Sequence, residues 1–176
     1  MELILAKLYL ILVFSVLVLI TVFLGFQIQL KQKLERNLTD LRQQTTQNTD
    51  SYESQFKLGQ IYLRKKLYSK AIEEFRECFT KWDKNDRLGL ASLLNTLGFT
   101  YYQLKEFNIA VYYYKTALTL APDYFTSLSN LAYLYQQQGQ LQELNETYKQ
   151  MVVFAPNNKK TEELRDYLEK RLIKSE

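Results

Sequence analysis

Three stretches of this chain carry the same kinds of residue at the same offsets, and no other feature restricts its fold so tightly. The middle stretch places Leu94, Leu97, Gly98, Tyr101, Ala110, Tyr114, Ala117 and Pro122. The next one sets Leu128, Leu131, Ala132, Tyr135, Leu144, Tyr148, Met151 and Pro156 at the same positions, so Pro122 and Pro156 stand one repeat of about 34 residues apart. An earlier stretch has Leu58, Gly59, Tyr62, Ala71, Phe75 and Cys78 in register, with Asp83 in place of the proline and extra residues, Asp86 to Leu90, before the next copy. Each stretch reads as a pair of helices. Gly59, Gly98 and Ala132 allow the first helix to approach the second, where Ala71 and Ala110 sit opposite, because close packing requires small side chains. The aromatics about a turn away fill the space between units. Pro122 and Pro156 end one helix and pre-set the first turn of the next. Leu144 is larger than its counterparts and is expected to push its two helices slightly apart.

This pattern resembles the tetratricopeptide repeat, a helix-turn-helix module to which other proteins bind, over roughly Tyr52 to Asn158. The resemblance implies an all-α fold: a superhelix of about three units, at 52–85, 91–124 and 125–158. Residues 159–176, with Leu164, Tyr167, Leu168 and Leu172 on one face, then form the capping helix that covers the apolar edge of the last unit.

Ahead of the repeats, Leu8 to Phe26 carries no charge and is interrupted only by Ser15, Thr21 and Gly25, long enough to cross a bilayer. A cleaved signal peptide has a shorter apolar run followed by a small-x-small site, which Phe26-Gln27-Ile28-Gln29-Leu30 does not supply. A buried core helix would not be apolar on every face. Residues 1–27 are therefore expected to be a retained transmembrane anchor, contacting the lipid bilayer through residues 8–26. Lys31, Lys33 and Arg36 outweigh Lys7 and Glu2 across the span, so the positive-inside bias puts the repeats on the cytoplasmic side, or in the stroma if the membrane is a thylakoid.

Residues 28–51 read as an amphipathic juxtamembrane helix and a polar linker. Leu30, Leu34, Leu38 and Leu41 recur at helical spacing, which suits a helix lying on the membrane or on the first repeat, and also a short dimerising coil. Gln43 to Asn48 reads as the linker, and Asp50 with Glu53 as a helix start.

Composition removes most chemistry. There is no histidine, so no Ser/His/Asp or Cys/His arrangement can be built, and the one cysteine, Cys78, cannot anchor a thiolate metal cluster. Cys78 stands where the repeat carries a small buried residue. Carboxylate pairs such as Glu73-Glu74 and Glu162-Glu163 point about 100° apart on a helix, and no glycine-rich phosphate loop is present. The net charge of +4 is spread over mixed-sign faces, and Arg64-Lys65-Lys66 and Lys159-Lys160 read as turns or helix ends rather than nucleic-acid contacts. No enzymatic activity, cofactor, metal or nucleic acid is expected.

Binding is expected in the groove lined by the first helix of each unit. The residues facing it are Phe56, Gln60, Leu63 and Arg64 in the first unit; Asn95, Phe99, Tyr102 and Gln103 in the second; and Ser129, Tyr133, Gln136 and Gln137 in the third. This aromatic and amide-rich lining suits an extended or helical peptide from a protein client. Repeat proteins that dock acidic chaperone tails clamp a carboxylate with cations, whereas the matching positions here are Phe56, Gln60, Asn95, Thr126 and Asn130, of which only Asn95 suits such a clamp.

One span, a linker and about three units also resemble the small photosystem I assembly factors of cyanobacteria and red-algal plastids, an impression that the richness in Leu, Ile, Lys, Asn, Tyr and Phe reinforces through an AT-biased genome. That resemblance implies a thylakoid scaffold holding photosystem I subunits or assembly intermediates. Two other readings remain at this point: a bacterial membrane-anchored repeat protein for envelope, pilus or secretion assembly, and a self-associating structural protein.

Overall fold

The computed structural model describes residues 1–46 and 52–172 and contains eight helices among them. It divides into two compact units, Met1–Gln47 and Asn48–Glu176.

The first unit is a single helix, α1 (Glu2–Thr46), of 45 residues. Its segment Lys7–Leu30, with a mean hydropathy of 2.8, is long and apolar enough to cross a membrane. At about 1.5 Å per residue those 24 residues exceed the ~30 Å hydrocarbon layer. The serine and threonine hydroxyls in the span are satisfied by the helix itself: Ser15 Oγ donates to the Leu12 carbonyl and Thr21 Oγ1 to that of Val18, each at 2.8 Å. The helix runs through Thr46, so the linker expected from Gln43 onward is helical for its first four residues. Glutamine and threonine are tolerated within a helix, and neither glycine nor proline occurs between Gln43 and Thr46. Gln47 to Ser51, including the helix start expected at Asp50, lie outside the described residues.

The second unit is built of helical hairpins. Helices α2 (Tyr52–Arg64) and α3 (Tyr68–Lys81), α4 (Arg87–Gln103) and α5 (Phe107–Leu120), and α6 (Phe125–Gln138) and α7 (Leu141–Phe154) pack as successive pairs, and α8 (Lys159–Leu172) packs on α7. The glycine positions show why the pairs close tightly. A Cβ added at Gly59 would lie 2.5 Å from Phe75 Cε1, and one at Gly98 would lie 2.7 Å from Tyr114 Cδ1 and 3.2 Å from the Ala110 carbonyl oxygen. Phe75 and Tyr114 are fully buried. These aromatics therefore fill the crevice inside their own hairpin, against the glycine, rather than the space between hairpins as their spacing suggested. The first two hairpins are linked at Tyr101, which stacks on Tyr113 of its own hairpin at 5.3 Å and accepts a 3.0 Å hydrogen bond from Arg76 Nη2 of α3.

In the third hairpin Ala132 replaces glycine, Leu144 is completely buried, and α6 and α7 meet less closely than the other pairs, as the bulk of Leu144 led us to expect. Tyr148 is then only half-buried, and its hydroxyl accepts a 3.2 Å hydrogen bond from Arg165 Nε of α8. Cys78 is buried without exposure; its Sγ lies 3.1 Å from the Tyr52 carbonyl, and burial pushes its pKa up to about 12, so it carries no nucleophilic thiolate near neutral pH.

Two details correct the positions expected from sequence. Asp86 to Leu90 is no spacer: Asp86 Oδ1 accepts from the Gly89 backbone N–H at 2.8 Å as an N-cap, and the other residues form the first turn of α4. Pro122 and Pro156 follow the C-caps of α5 and α7, but the next helices begin three residues later, at Phe125 and Lys159. Each proline opens a tight turn closed by Tyr124 N–H to the Ala121 carbonyl (3.0 Å) or Asn158 N–H to that of Ala155 (3.2 Å).

The hairpin turns repeat one backbone geometry. Lys66, Lys105 and Gly139 hold φ of 59°, 64° and 69°, and the residue after each donates back to Tyr62, Tyr101 or Tyr135 at 2.9, 3.0 and 3.0 Å. This is a left-handed helix stop that glycine occupies without strain and lysine does not. Lys105→Gly should therefore raise the unfolding free energy of the repeat unit by about 0.5–1 kcal/mol, after the extra unfolded-state entropy of glycine is subtracted. Urea titration followed by circular dichroism of the full chain in detergent measures it, and a loss of stability would contradict the assigned geometry.

Candidate functional site: the face formed by α2, α4, α6 and α8

The first helices of the hairpins share one layer, with α3, α5 and α7 in the other. Neighbours within the first layer touch through Tyr102 of α4 and Tyr133 of α6, whose rings meet edge-on at 6.0 Å, and Tyr102 also packs on Phe107 at 5.7 Å. Burial raises the Tyr102 pKa, with a smaller contribution from its hydrogen bond to Tyr133. Phe99 and Tyr133 are 38% and 50% exposed, large aromatic areas left open to solvent.

The expected groove residues separate into three groups. Gln60, Arg64, Phe99, Tyr133 and Gln137 are exposed, and Leu63, Tyr102, Gln103 and Gln136 are half-buried. Phe56 is half-buried because its ring packs on Phe75 at 5.7 Å and Trp82 at 5.6 Å. Asn95 and Ser129 are buried, at 8% and 7% exposure. Asn95 holds the array together: its Oδ1 accepts from Ser127 Oγ at 3.1 Å and from Asn130 Nδ2 at 2.9 Å, tying α4 to α6. The one position that suited a carboxylate clamp is thus already bonded.

Ser129, Tyr133 and Gln136 come together at a cavity of about 280 Å³. Asn130 and Ala132 of α6, Met151 of α7, and Lys160, Glu163 and Leu164 of α8 complete its lining. The contribution of α8 was missed from sequence because that helix was read only as a cap. A signal existed: Lys159–Leu172 lies one repeat length after Phe125–Gln138, and Thr161 is fully buried as Ser127 is, although the small-residue motif is absent. A second cavity, about 500 Å³, opens beside α5 and α7, with Leu118, Pro122, Leu131 and Phe154 beside Glu143 and Glu146. Nothing in the sequence pattern marked it. Among the described residues no group of three or more His, Cys, Asp or Glu could hold a metal ion.

An apolar span followed by helical hairpins with this groove defines a membrane-anchored tetratricopeptide-repeat protein. The family model for the tetratricopeptide repeat matches residues 50–123. The ycf37 protein of Guillardia theta is 32% identical over 161 residues, covering 92% of this chain and 90% of that protein. The chain belongs to the ycf37 family of tetratricopeptide-repeat proteins. It is also 28% identical over 164 residues to the chloroplastic repeat protein PYG7 of Arabidopsis thaliana, covering 93% of this chain but spanning only 54% of PYG7. Among solved structures, the first repeat domain of Spaghetti (RPAP3) with an HSP90 peptide superposes with a TM-score of 0.58 at 21% identity, covering 70% of this chain and 94% of that one, a likeness of fold. The protein is a non-catalytic repeat scaffold, associated with a plastid membrane through a single pass.

Asn95→Ala removes the acceptor that ties two helices and leaves Ser127 Oγ without that buried partner. It should lower stability by about 1–3 kcal/mol, read as a reduced urea midpoint at unchanged slope. An unchanged midpoint would mean that these two bonds contribute nothing to holding α4 against α6.

Proposed function

We propose that this chain is a thylakoid scaffold that holds photosystem I subunits or assembly intermediates on its groove, with three repeat units closed by α8 as a cap and the repeats on the stromal side. The exposed, nearly uncharged aromatic face of α4 and α6 in a chain that also carries a membrane anchor is the observation behind this reading. A protein confined to the bilayer meets membrane-embedded clients at raised effective concentration, while exposed rings and amides suit an extended polypeptide held by stacking and backbone hydrogen bonds. Lys31, Lys33 and Arg36 after the span support the stromal orientation. Kinship with a chloroplastic repeat protein weighs against a bacterial envelope, pilus or secretion role.

Affinity purification of the full chain from gently solubilised thylakoids should enrich photosystem I subunits over those of other thylakoid complexes. Doubling Phe99→Ala with Tyr133→Ala should remove most of that enrichment while leaving the chain in the membrane. Recovery without photosystem I subunits would overturn the assignment.

A further inference from the structure

The cavity between α6 and α8 combines two features that the groove reading does not use. Its walls are apolar at depth, with Ala132, Met151 and Leu164 each at most 5% exposed, and open beside the half-exposed ring of Tyr133. Its volume of about 280 Å³ accommodates one large side chain. Bordering it, Ser129 is more than nine-tenths buried, yet its Oγ has no hydrogen-bond partner among the described residues. A buried hydroxyl left unpaired in a native fold marks a place where another polar group belongs. Water or a ligand can supply that group, and the aromatic wall distinguishes this site from a simple hydration pocket.

The charges at the rim select between ligands. Glu163 is engaged by Lys159 Nζ at 3.7 Å, whereas no ion pair or hydrogen bond among the described residues engages the Lys160 ammonium. Taken together, Lys159, Lys160 and Glu163 leave one net positive charge at the rim. Asn130 gives one amide N–H to Asn95 and keeps its carbonyl oxygen available, so it and Gln136 can bond a peptide backbone passing over the opening.

We propose that the α6–α8 cavity is an anchor subsite for an extended client segment. It seats one large apolar side chain against Met151 and Leu164, with an acidic residue beside it paired to Lys160. The inference rests on the groove being a client-binding face and names the client's local chemistry. It also gives α8 a recognition role in addition to covering the array.

The test uses the full chain in lipid nanodiscs and a library of short degenerate peptides in which each position is fixed in turn as each amino acid, with empty nanodiscs as the blank. The wild-type chain should enrich Leu, Ile, Met, Phe or Tyr at one position and Asp or Glu next to it. Tyr133→Ala should weaken the best peptide by at least about tenfold. Lys160→Glu, a change at an exposed position, should abolish the acidic preference or turn it toward Lys and Arg while the apolar preference stays. Glu146→Lys, at the other cavity, should alter neither. Enrichment that survives both Tyr133→Ala and Lys160→Glu, or that responds to Glu146→Lys, overturns the subsite, as does the absence of any positional preference. Loss of photosystem I from the affinity purification with these preferences intact would instead overturn only the named client.

Discussion

Everything the repeat unit presents depends on how closely its paired helices approach. Gly59 and Gly98 leave room for the rings of Phe75 and Tyr114, and those rings are buried where a Cβ would stand. Once each hairpin is set, the turn with a left-handed residue at Lys66, Lys105 or Gly139 fixes the angle at which the second helix returns. The first helices then lie in one layer, and the aromatic and amide side chains between their core positions come to the surface together. The face proposed to bind clients is a consequence of packing on the opposite side of the same helices. Where the constraint relaxes, at Ala132 and Leu144, the third hairpin is looser, and a cavity opens between its first helix and α8.

Much of this was legible because small residues, aromatics and prolines recur at fixed offsets, and a one-dimensional repeat must be satisfied in every copy. The span was equally legible, since a long uncharged apolar run outside the repeats has nowhere to be buried except in lipid. What escaped depended on atoms far apart in sequence. Asn95 looked like a groove residue by position, but its bonds to Ser127 and Asn130 arise only when α4 and α6 are placed side by side. Phe75 and Tyr114 were assigned to the space between units because spacing does not say which neighbour a ring faces. The wall contributed by α8 was hidden because that helix keeps the repeat's phase without its motif, and Asp86 to Leu90 looked like an insertion because capping by Asp86 is a local geometric event.

In the proposed function the two units of the chain divide the work, the helix as a tether and the repeats as the source of selectivity. A helix whose serine and threonine hydroxyls bond to its own backbone needs no partner for them in lipid, so the anchor can serve as a tether. The repeat unit offers no catalytic chemistry: it has no histidine, and its single thiol is buried with a pKa of about 12. A surface of rings and amides with little net charge recognises shape and backbone more than charge.

Under the proposed function, clients occupy the face of α4 and α6 rather than the opposite side of the array. Site-specific photocrosslinking in thylakoids distinguishes the two, with a benzophenone side chain placed in turn at Tyr133 on the groove and at Tyr112, 63% exposed on α5. Adducts with photosystem I subunits are expected from position 133 and none from position 112. Adducts from position 112 alone, or none with photosystem I from either, would contradict the groove as the client-binding face.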